Sequence, residues 1–257
     1  MTAFTVLITG ATAGIGAACA RRFVAPGAHL VLTGRRAERL DETKRRLEAA
    51  GKDVKVHTLA LDMRDRRAVE RMIETLPSEF GEIDVLVNNA GLALGLEPAH
   101  RVALDDWEAM VDTNIKGLIC CTRAVLPGMV ERNRGHIVNL GSVAGTYPYP
   151  GGNVYGGTKA FVHQFSLALR SDLLGTNVRV TCIEPGMVET EFAQVRFKGD
   201  RTKAAQTYAG MQPMTADDIA DVIHWCVSRP AHLNINTIEL MPVAQAFNAF
   251  AVARQQE

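Results

Sequence analysis

Short apolar runs recur along this chain, and a stretch with helical periodicity separates each from the next. The runs are Phe4-Thr-Val-Leu-Ile8, His29-Leu-Val-Leu-Thr33, Val54 to Leu61, Asp84-Val-Leu-Val-Asn88, His136 to Leu140 and Val178 to Ile183. Between them apolar residues fall at helical spacing, as with Val69, Met72, Ile73 and Leu76. Strands joined by helices of ~10 or more residues pair in parallel, since a parallel partner needs a long crossover. The pattern therefore predicts an α/β fold, a doubly wound parallel sheet. Such a sheet binds ligands at the C-terminal ends of its strands, so the residues that follow each run are the first candidates for a site.

After the first run comes Thr9-Gly10-Ala-Thr-Ala-Gly14-Ile15-Gly16, which opens a helical pattern. Glycines suit a turn where a pyrophosphate approaches main-chain N–H groups at a helix N-terminus. The spacing differs from the Gly-x-Gly-x-x-Gly fingerprint, so the match is one of mechanism and implies a Rossmann-like sheet. The second run leads to Gly34-Arg35-Arg36, with no acidic residue between Gly16 and Glu38. Arginines at this strand end favour the 2′-phosphate of NADP, where an acidic residue would favour NAD. Asp62 ends the third run and either receives the adenine amino group or caps the next helix. The fourth run ends in Asn88-Asn89-Ala90-Gly91, small residues and amides suited to a cofactor lying against backbone. Ser142 and Pro185-Gly186 follow the fifth and sixth runs and converge on the same edge.

Tyr155 and Lys159 are four residues apart at the start of an apolar-periodic segment, so they share one face of a helix. The ammonium is expected to lower the phenol from its usual ~10, making the pair a general acid/base that Ser142 can join. A single helix is expected from about Leu104 to Met129, with Asn114 interrupting its apolar stripe. That amide either satisfies a freed backbone carbonyl or holds a water that feeds protons to Lys159.

Composition narrows the partners. The 28 basic and 28 acidic residues balance, which points away from nucleic acid and anionic membranes and toward a small molecule. No apolar run reaches the ~20 residues of a membrane span, and the first strand begins too early for a signal peptide, so a cytoplasmic location is expected. The 5 cysteines lack C-x-x-C spacing and read as buried thiols, with no metal expected.

Beyond Gly186 the pattern loosens, and a substrate lid is expected at about 187–214. Thr215 and Asp218 resemble a capping box for a further helix, Asn234 to Met241 alternates as a last strand, and an apolar tail occupies about 243–257. The whole, 1–257, reads as one domain.

Taken together, Thr9-Gly10-x-x-x-Gly14-x-Gly16, Asn88-Asn89-Ala90-Gly91, Asn114, Ser142, Tyr155-x-x-x-Lys159 and Pro185-Gly186-x-x-x-Thr190 resemble the short-chain dehydrogenase/reductase family over the whole chain. The resemblance implies a catalytic tetrad: Ser142 polarises the carbonyl, Tyr155 exchanges the proton, Lys159 holds the ribose and lowers the Tyr155 pKa, and Asn114 positions a relay water. It also implies NADP held by Thr9, Gly10, Gly14, Ile15, Gly16, Arg35, Arg36, Asp62, Asn88, Ala90, Gly91, Tyr155, Lys159, Pro185, Gly186, Val188 and Thr190, with Thr190 on the nicotinamide amide, and a homotetramer. Gly34-Arg35-Arg36, Val195 to Asp200, Pro230 to Asn236 and Met241-Pro242 further resemble the NADP-dependent 3-hydroxy acid dehydrogenases, a subgroup spanning serine and allo-threonine dehydrogenases, malonic semialdehyde reductases and sulfoacetaldehyde reductases. The substrate would meet Ser142 and Tyr155. Arg196 and Lys198 are nominated for its acid group, with Tyr149 and Asn153 as neutral alternatives. A reductase of neutral carbonyls, a noncatalytic NADP sensor and an epimerase relative are the competing readings.

Overall fold

The computed structural model describes residues 4–247 and 252–254, so the tail expected at about 243–257 lies partly outside the described residues. Strands β1 (Phe4–Ile8), β2 (Ala28–Gly34), β3 (Lys55–Ala60), β4 (Val85–Asn88), β5 (Gly135–Leu140) and β6 (Val178–Pro185) alternate with helices α1 (Gly14–Arg22), α2 (Ala37–Ala50), α3 (Arg66–Glu74), α4 (Leu104–Val111), α5 (Leu118–Glu131) and α6 (Asn153–Asp172). There follow β7 (Val188–Glu189), α7 (Phe192–Arg196), α8 (Arg201–Tyr208), β8 (Met214–Thr215), α9 (Ala216–Val227) and β9 (Thr237–Leu240). The main sheet has the order β3-β2-β1-β4-β5-β6-β9, parallel throughout. The order reverses at β1, which pairs with β2 on one side and β4 on the other, and a crevice opens above that reversal.

Side chains alternate across each strand, so one strand feeds two cores. Val6 and Ile8 pack on one face with Ala18 and Cys19 of α1 and Ile219 and Ile223 of α9. Leu7 points the other way, to Val69 and Met72 of α3 and Cys121 and Val125 of α5. Four of the cysteines are buried and Cys120 is half-buried, as the apolar context implied.

Three local features depart from the sequence pattern. The single helix expected over Leu104 to Met129 is broken by a π-helical turn, Asp112–Gly117, between α4 and α5. Gly117 there lies against Met63, where an added Cβ would come within 2.9 Å of its side chain. The region expected to be loose beyond Gly186 carries α7 and α8, and its ends meet as a two-stranded parallel sheet, β7 with β8. The last strand is shorter than its alternation because Asn234 pairs through its side chain, accepting from the Val180 N–H at 2.8 Å and donating to the Val180 carbonyl at 2.9 Å. The expected capping box on α9 is complete: Thr215 Oγ1 accepts from the Asp218 N–H, and Asp218 accepts from the Thr215 N–H. Among the described residues no helix is long and apolar enough to cross a membrane.

Candidate active site

The crevice is a cavity of about 400 Å³ that collects residues from the ends of β1, β2, β4, β5 and β6 and from the 188–208 segment. At its floor Gly10 and Gly14 have φ of 70° and 53°, the left-handed region that glycine enters without a Cβ penalty. Helix α1 begins beside them with no side-chain cap, so its first N–H groups are open to a ligand anion. At the end of β2, Arg35 and Arg36 both line the crevice. Arg36 donates to Thr12 Oγ1 through Nε at 3.2 Å and Nη2 at 2.9 Å, and pairs through Nη1 with Glu191 at 2.8 Å. Asp62 lines the far end, and Arg64 beside it holds its carboxyl below the usual carboxylate range. It does not cap α3. That role belongs to Asp65, which accepts from the Ala68 N–H at 3.0 Å. Glycine turn, uncapped helix end and paired arginines fit a phosphorylated dinucleotide.

Three residues expected to touch the cofactor lie behind the wall instead. Thr9 is buried, and its hydroxyl accepts from the N–H groups of Asn89 and Ala90 at 3.1 and 3.0 Å, tying β1 to the β4 end. Gly16 does not line the crevice; it is glycine because a Cβ there would overlap the Gly10 carbonyl oxygen. Asn88 turns inward, donating to Thr122 Oγ1 and Asn139 Oδ1, both at 2.9 Å. The crevice is lined instead by Asn89, whose Nδ2 donates to the Thr9 carbonyl at 2.8 Å.

Across the crevice stand Ser142, Tyr155 and Lys159, all buried. Ser142 ends β5, where its hydroxyl accepts from the Ala144 N–H at 3.1 Å. Lys159 donates to the Leu140 carbonyl at 2.7 Å, and burial pushes its ammonium down to about 8. Its Nζ is 5.9 Å from the Tyr155 ring centroid. The expected lowering of the tyrosine by this neighbour is outweighed by burial. Burial raises the phenol above its ordinary value, and the opposing influences are the Arg196 charge, then a hydrogen bond with Ser142. Full desolvation of the phenol outweighs the positive charges around it. Asn114 spends its amide on structure: Oδ1 accepts from the Leu92 N–H at 2.9 Å, and Nδ2 donates to the Leu92 carbonyl at 2.9 Å and to Thr158 Oγ1 at 3.0 Å. Of its two expected roles, the side chain fills the backbone one.

Comparison with known proteins fits this geometry. Residues 4–201 match the family model described as short chain dehydrogenase. The chain belongs to the short-chain dehydrogenase family. It is 60% identical over 250 residues to the NADP-dependent 3-hydroxy acid dehydrogenase YdfG of Salmonella typhi, covering 97% of this chain and 99% of that one. It is 55% identical to the serine 3-dehydrogenase of Rhizobium radiobacter over 98% of each chain. The closed form of a serine dehydrogenase complexed with NADP+ superposes with a TM-score of 0.90 at 55% identity, covering 98% of this chain and all of that one.

In this short-chain dehydrogenase the end of the crevice nearest Tyr155 is built by the 188–208 segment. Arg196 is buried, donates to the Tyr149 hydroxyl at 3.1 Å, and lies 5.2 Å from the Tyr155 ring centroid and 5.1 Å from that of Phe192. Among the described residues its Nε has no hydrogen-bond partner. Two nominated residues do not reach the crevice. Lys198 is exposed and pairs with Asp106 at 2.8 Å, because the chain turns at α7 and directs it outward. Asn153 accepts from Trp107 Nε1 at 3.0 Å and from the Val154 N–H at 2.8 Å at the start of α6. Ile15, Gly91, Pro185, Gly186, Val188, Thr190 and Tyr149 all line the crevice as expected. Sequence reasoning missed Thr12, Met63, Glu191, Phe192, Tyr208 and Gln245. Thr12 had a signal, lying inside the glycine turn. Gln245, which accepts from the Met187 N–H at 2.8 Å, had none, since the contact spans 58 positions.

Proposed function

We propose that this short-chain dehydrogenase is an oxidoreductase that interconverts a small 3-hydroxy acid and its semialdehyde with NADP. The observation that carries the reading is Arg196, a buried guanidinium at the wall of the reaction chamber whose Nε has no hydrogen-bond partner among the described residues. A planar cation in that place suits a carboxylate, and more than one of its N–H groups can take part. Relatives whose names specify 3-hydroxy acid and serine dehydrogenation support it. Sulfoacetaldehyde reduction is the second reading, because a sulfonate would suit the same cation.

Arg35 and Arg36 would hold the 2′-phosphate, the Gly10 to Gly16 turn and the α1 N-terminus the pyrophosphate, and Asp62 the adenine. Ala90, Gly91 and Lys159 would bound the nicotinamide ribose, and Gly186, Val188 and Thr190 the nicotinamide. When bound, the group supplies the hydride acceptor or donor. The chain's residues do the rest. Arg196 orients the acid group, Ser142 donates to the substrate oxygen, and Tyr155 takes the hydroxyl proton in oxidation or returns it in reduction. Lys159 supports the phenol from the other side. The Asn114 side chain sets the π-helical turn, where a carbonyl released from helical pairing can hold a water near Lys159. The apolar walls of the crevice exclude bulk water.

The test follows NADPH formation with L-serine, L-allo-threonine, 3-hydroxypropionate, 3-hydroxyisobutyrate, isethionate and a neutral secondary alcohol. Turnover of one or more carboxylic acids well above the alcohol supports the reading, and turnover of the alcohol alone overturns it. Arg196→Ala is expected to raise KM for the acid at least tenfold; an unchanged KM excludes Arg196 as the anchor. We also propose a cytoplasmic homotetramer, for which exposed Leu174, Trp225 and Phe247 are available contacts, and light scattering measures the assembly directly.

A further inference from the structure

Strand β6 alternates, so Cys182 and Glu184 project from one face while Ile183 between them enters the opposite core with Ile8 and Ile219. Cys182 packs there against Val162 of α6, and the same helix brings His163 over the pair, one turn beyond Lys159. His163 Nδ1 lies 2.6 Å from Glu184 Oε1, and the Cys182 thiol donates to the same oxygen at 3.6 Å. An imidazole nitrogen, a sulfur and a carboxylate oxygen thus all lie within 4.8 Å of one another. Gly141, just past β5, leaves the space for them: a Cβ there would come within 2.8 Å of Cys182 Sγ and 2.9 Å of Glu184 Cγ.

The charges here call for a cation. Glu184 is 3% exposed, and a carboxylate so buried is costly unless an opposite charge accompanies it. Among the described residues no lysine or arginine forms an ion pair with it, and the partner it has is the His163 ring. Glu239, its register partner on β9, adds a second carboxylate, which accepts from the Tyr147 hydroxyl at 3.3 Å. Either a proton on His163 or a metal ion supplies the balancing charge.

We propose that His163, Cys182 and Glu184 form a binding site for a zinc-type divalent cation, with water as the fourth ligand. Sulfur, imidazole and carboxylate are donors that such an ion accepts tetrahedrally, with bonds of ~2.0–2.3 Å and so ligand atoms roughly 3.3–3.6 Å apart. Cys182 and Glu184 already stand at that separation, and the His163 side chain, 34% exposed, has room to swing off its hydrogen bond. Its exposed edge is the route for ion and water. On binding, the Cys182 thiol gives its proton to solvent and the sulfur takes the ion instead. Thiolate and carboxylate then cancel the charge of the ion, so the buried centre is neutral. The ion ties α6, which carries Tyr155 and Lys159, to the end of β6 that leads into Pro185 and Gly186, and so braces two walls of the crevice from behind. None of the three residues takes part in the hydroxy acid chemistry, so the site stands or falls apart from it.

The test uses the whole protein, reduced and stripped with a chelator, and Co2+ as the probe, since cobalt accepts zinc ligands and shows a thiolate charge-transfer band in the near ultraviolet. The band is expected to saturate at equal amounts of cobalt and chain and to vanish when Zn2+ is added. Cys182→Ala should remove it, whereas Cys120→Ala, at the half-buried thiol, should keep it. Loss of an outer-shell partner already costs ~10–100-fold in metal affinity, so His163→Gln and Glu184→Gln are each expected to weaken Co2+ binding by at least about tenfold. Zn2+ at about a hundred times its Kd should raise Tm by roughly 5–10 °C in the wild type and leave His163→Gln unmoved. A reduced wild-type protein that shows no thiolate band with cobalt in large excess overturns the proposal. A band that survives Cys182→Ala also overturns it, because the ion then sits on another cysteine. So does an unchanged affinity in His163→Gln, where a half-exposed ring is replaced at little cost to the fold. A wild-type melt that Zn2+ leaves unmoved returns the pair to a protonated imidazole beside its carboxylate.

Discussion

Gly16 has no freedom to be anything larger, because the Gly10 carbonyl oxygen and the Asn89 amide occupy the place of its side chain. Gly16→Ala must push α1 away from the turn whose N–H groups face the crevice. It is expected to cost about 1–3 kcal/mol of stability and to weaken NADP+ binding, both measurable by melting with and without cofactor. Tyr155→Phe keeps the ring against Phe192 at 5.7 Å between centroids and removes only the hydroxyl that exchanges the proton. It is expected to lose nearly all turnover while fluorescence titration gives an NADPH Kd within about twofold of wild type; substantial residual turnover would remove Tyr155 from the mechanism. At this scale the sequence was a good guide to chemistry and a poor one to direction. Arg196 and Lys198, two positions apart on one polar stretch, looked alike, yet one is buried over the tyrosine and the other pairs outside with Asp106. Asn88 and Asn89 likewise divide, one into the core and one into the crevice, since successive residues at a strand end face opposite ways.

Elements were legible where a local rule governs them. The capping box on α9 follows from Thr215 and Asp218 alone, and Thr215→Ala is expected to cost about 1 kcal/mol, lowering Tm by roughly 2–4 °C. A melt within one degree of wild type would show that the cap contributes little beside the pairing of β8 with β7. The π-helical turn between α4 and α5 had no such local rule. Its apolar spacing matches a continuous helix, and the reason for the irregularity lies in the Leu92 backbone, which meets the Asn114 amide only after β4 and α4 have packed. The two-stranded pairing of β7 with β8 was also hidden, because a two-residue strand has no period to read.

For the whole molecule, the buried imidazole of His136 sets an acid limit on the fold. Burial, with Arg179 nearby, pushes it down to about 3, and its Nε2 shares a hydrogen bond with Thr181 Oγ1 at 2.8 Å. An unfolded histidine takes its proton near ~6.5, so between that value and about 3 the unfolded chain binds more protons than the native one. Stability from this residue is therefore complete above ~6.5 and is lost as the pH falls toward 3, to a total of up to about 5 kcal/mol. Urea midpoints measured from pH 7 to 4 should fall less steeply in His136→Gln than in wild type, and parallel slopes would refute the assignment. By itself the sequence determined the alternation of strand and helix, the parallel sheet, the glycine turn and the Tyr155-Lys159 pair, because each follows from backbone periodicity or close spacing. Only the tertiary structure decided that Arg196 lies beside Tyr155, that Glu191 meets Arg36 and that Gln245 reaches Met187. Those contacts join segments far apart in the chain, so no local pattern could place them.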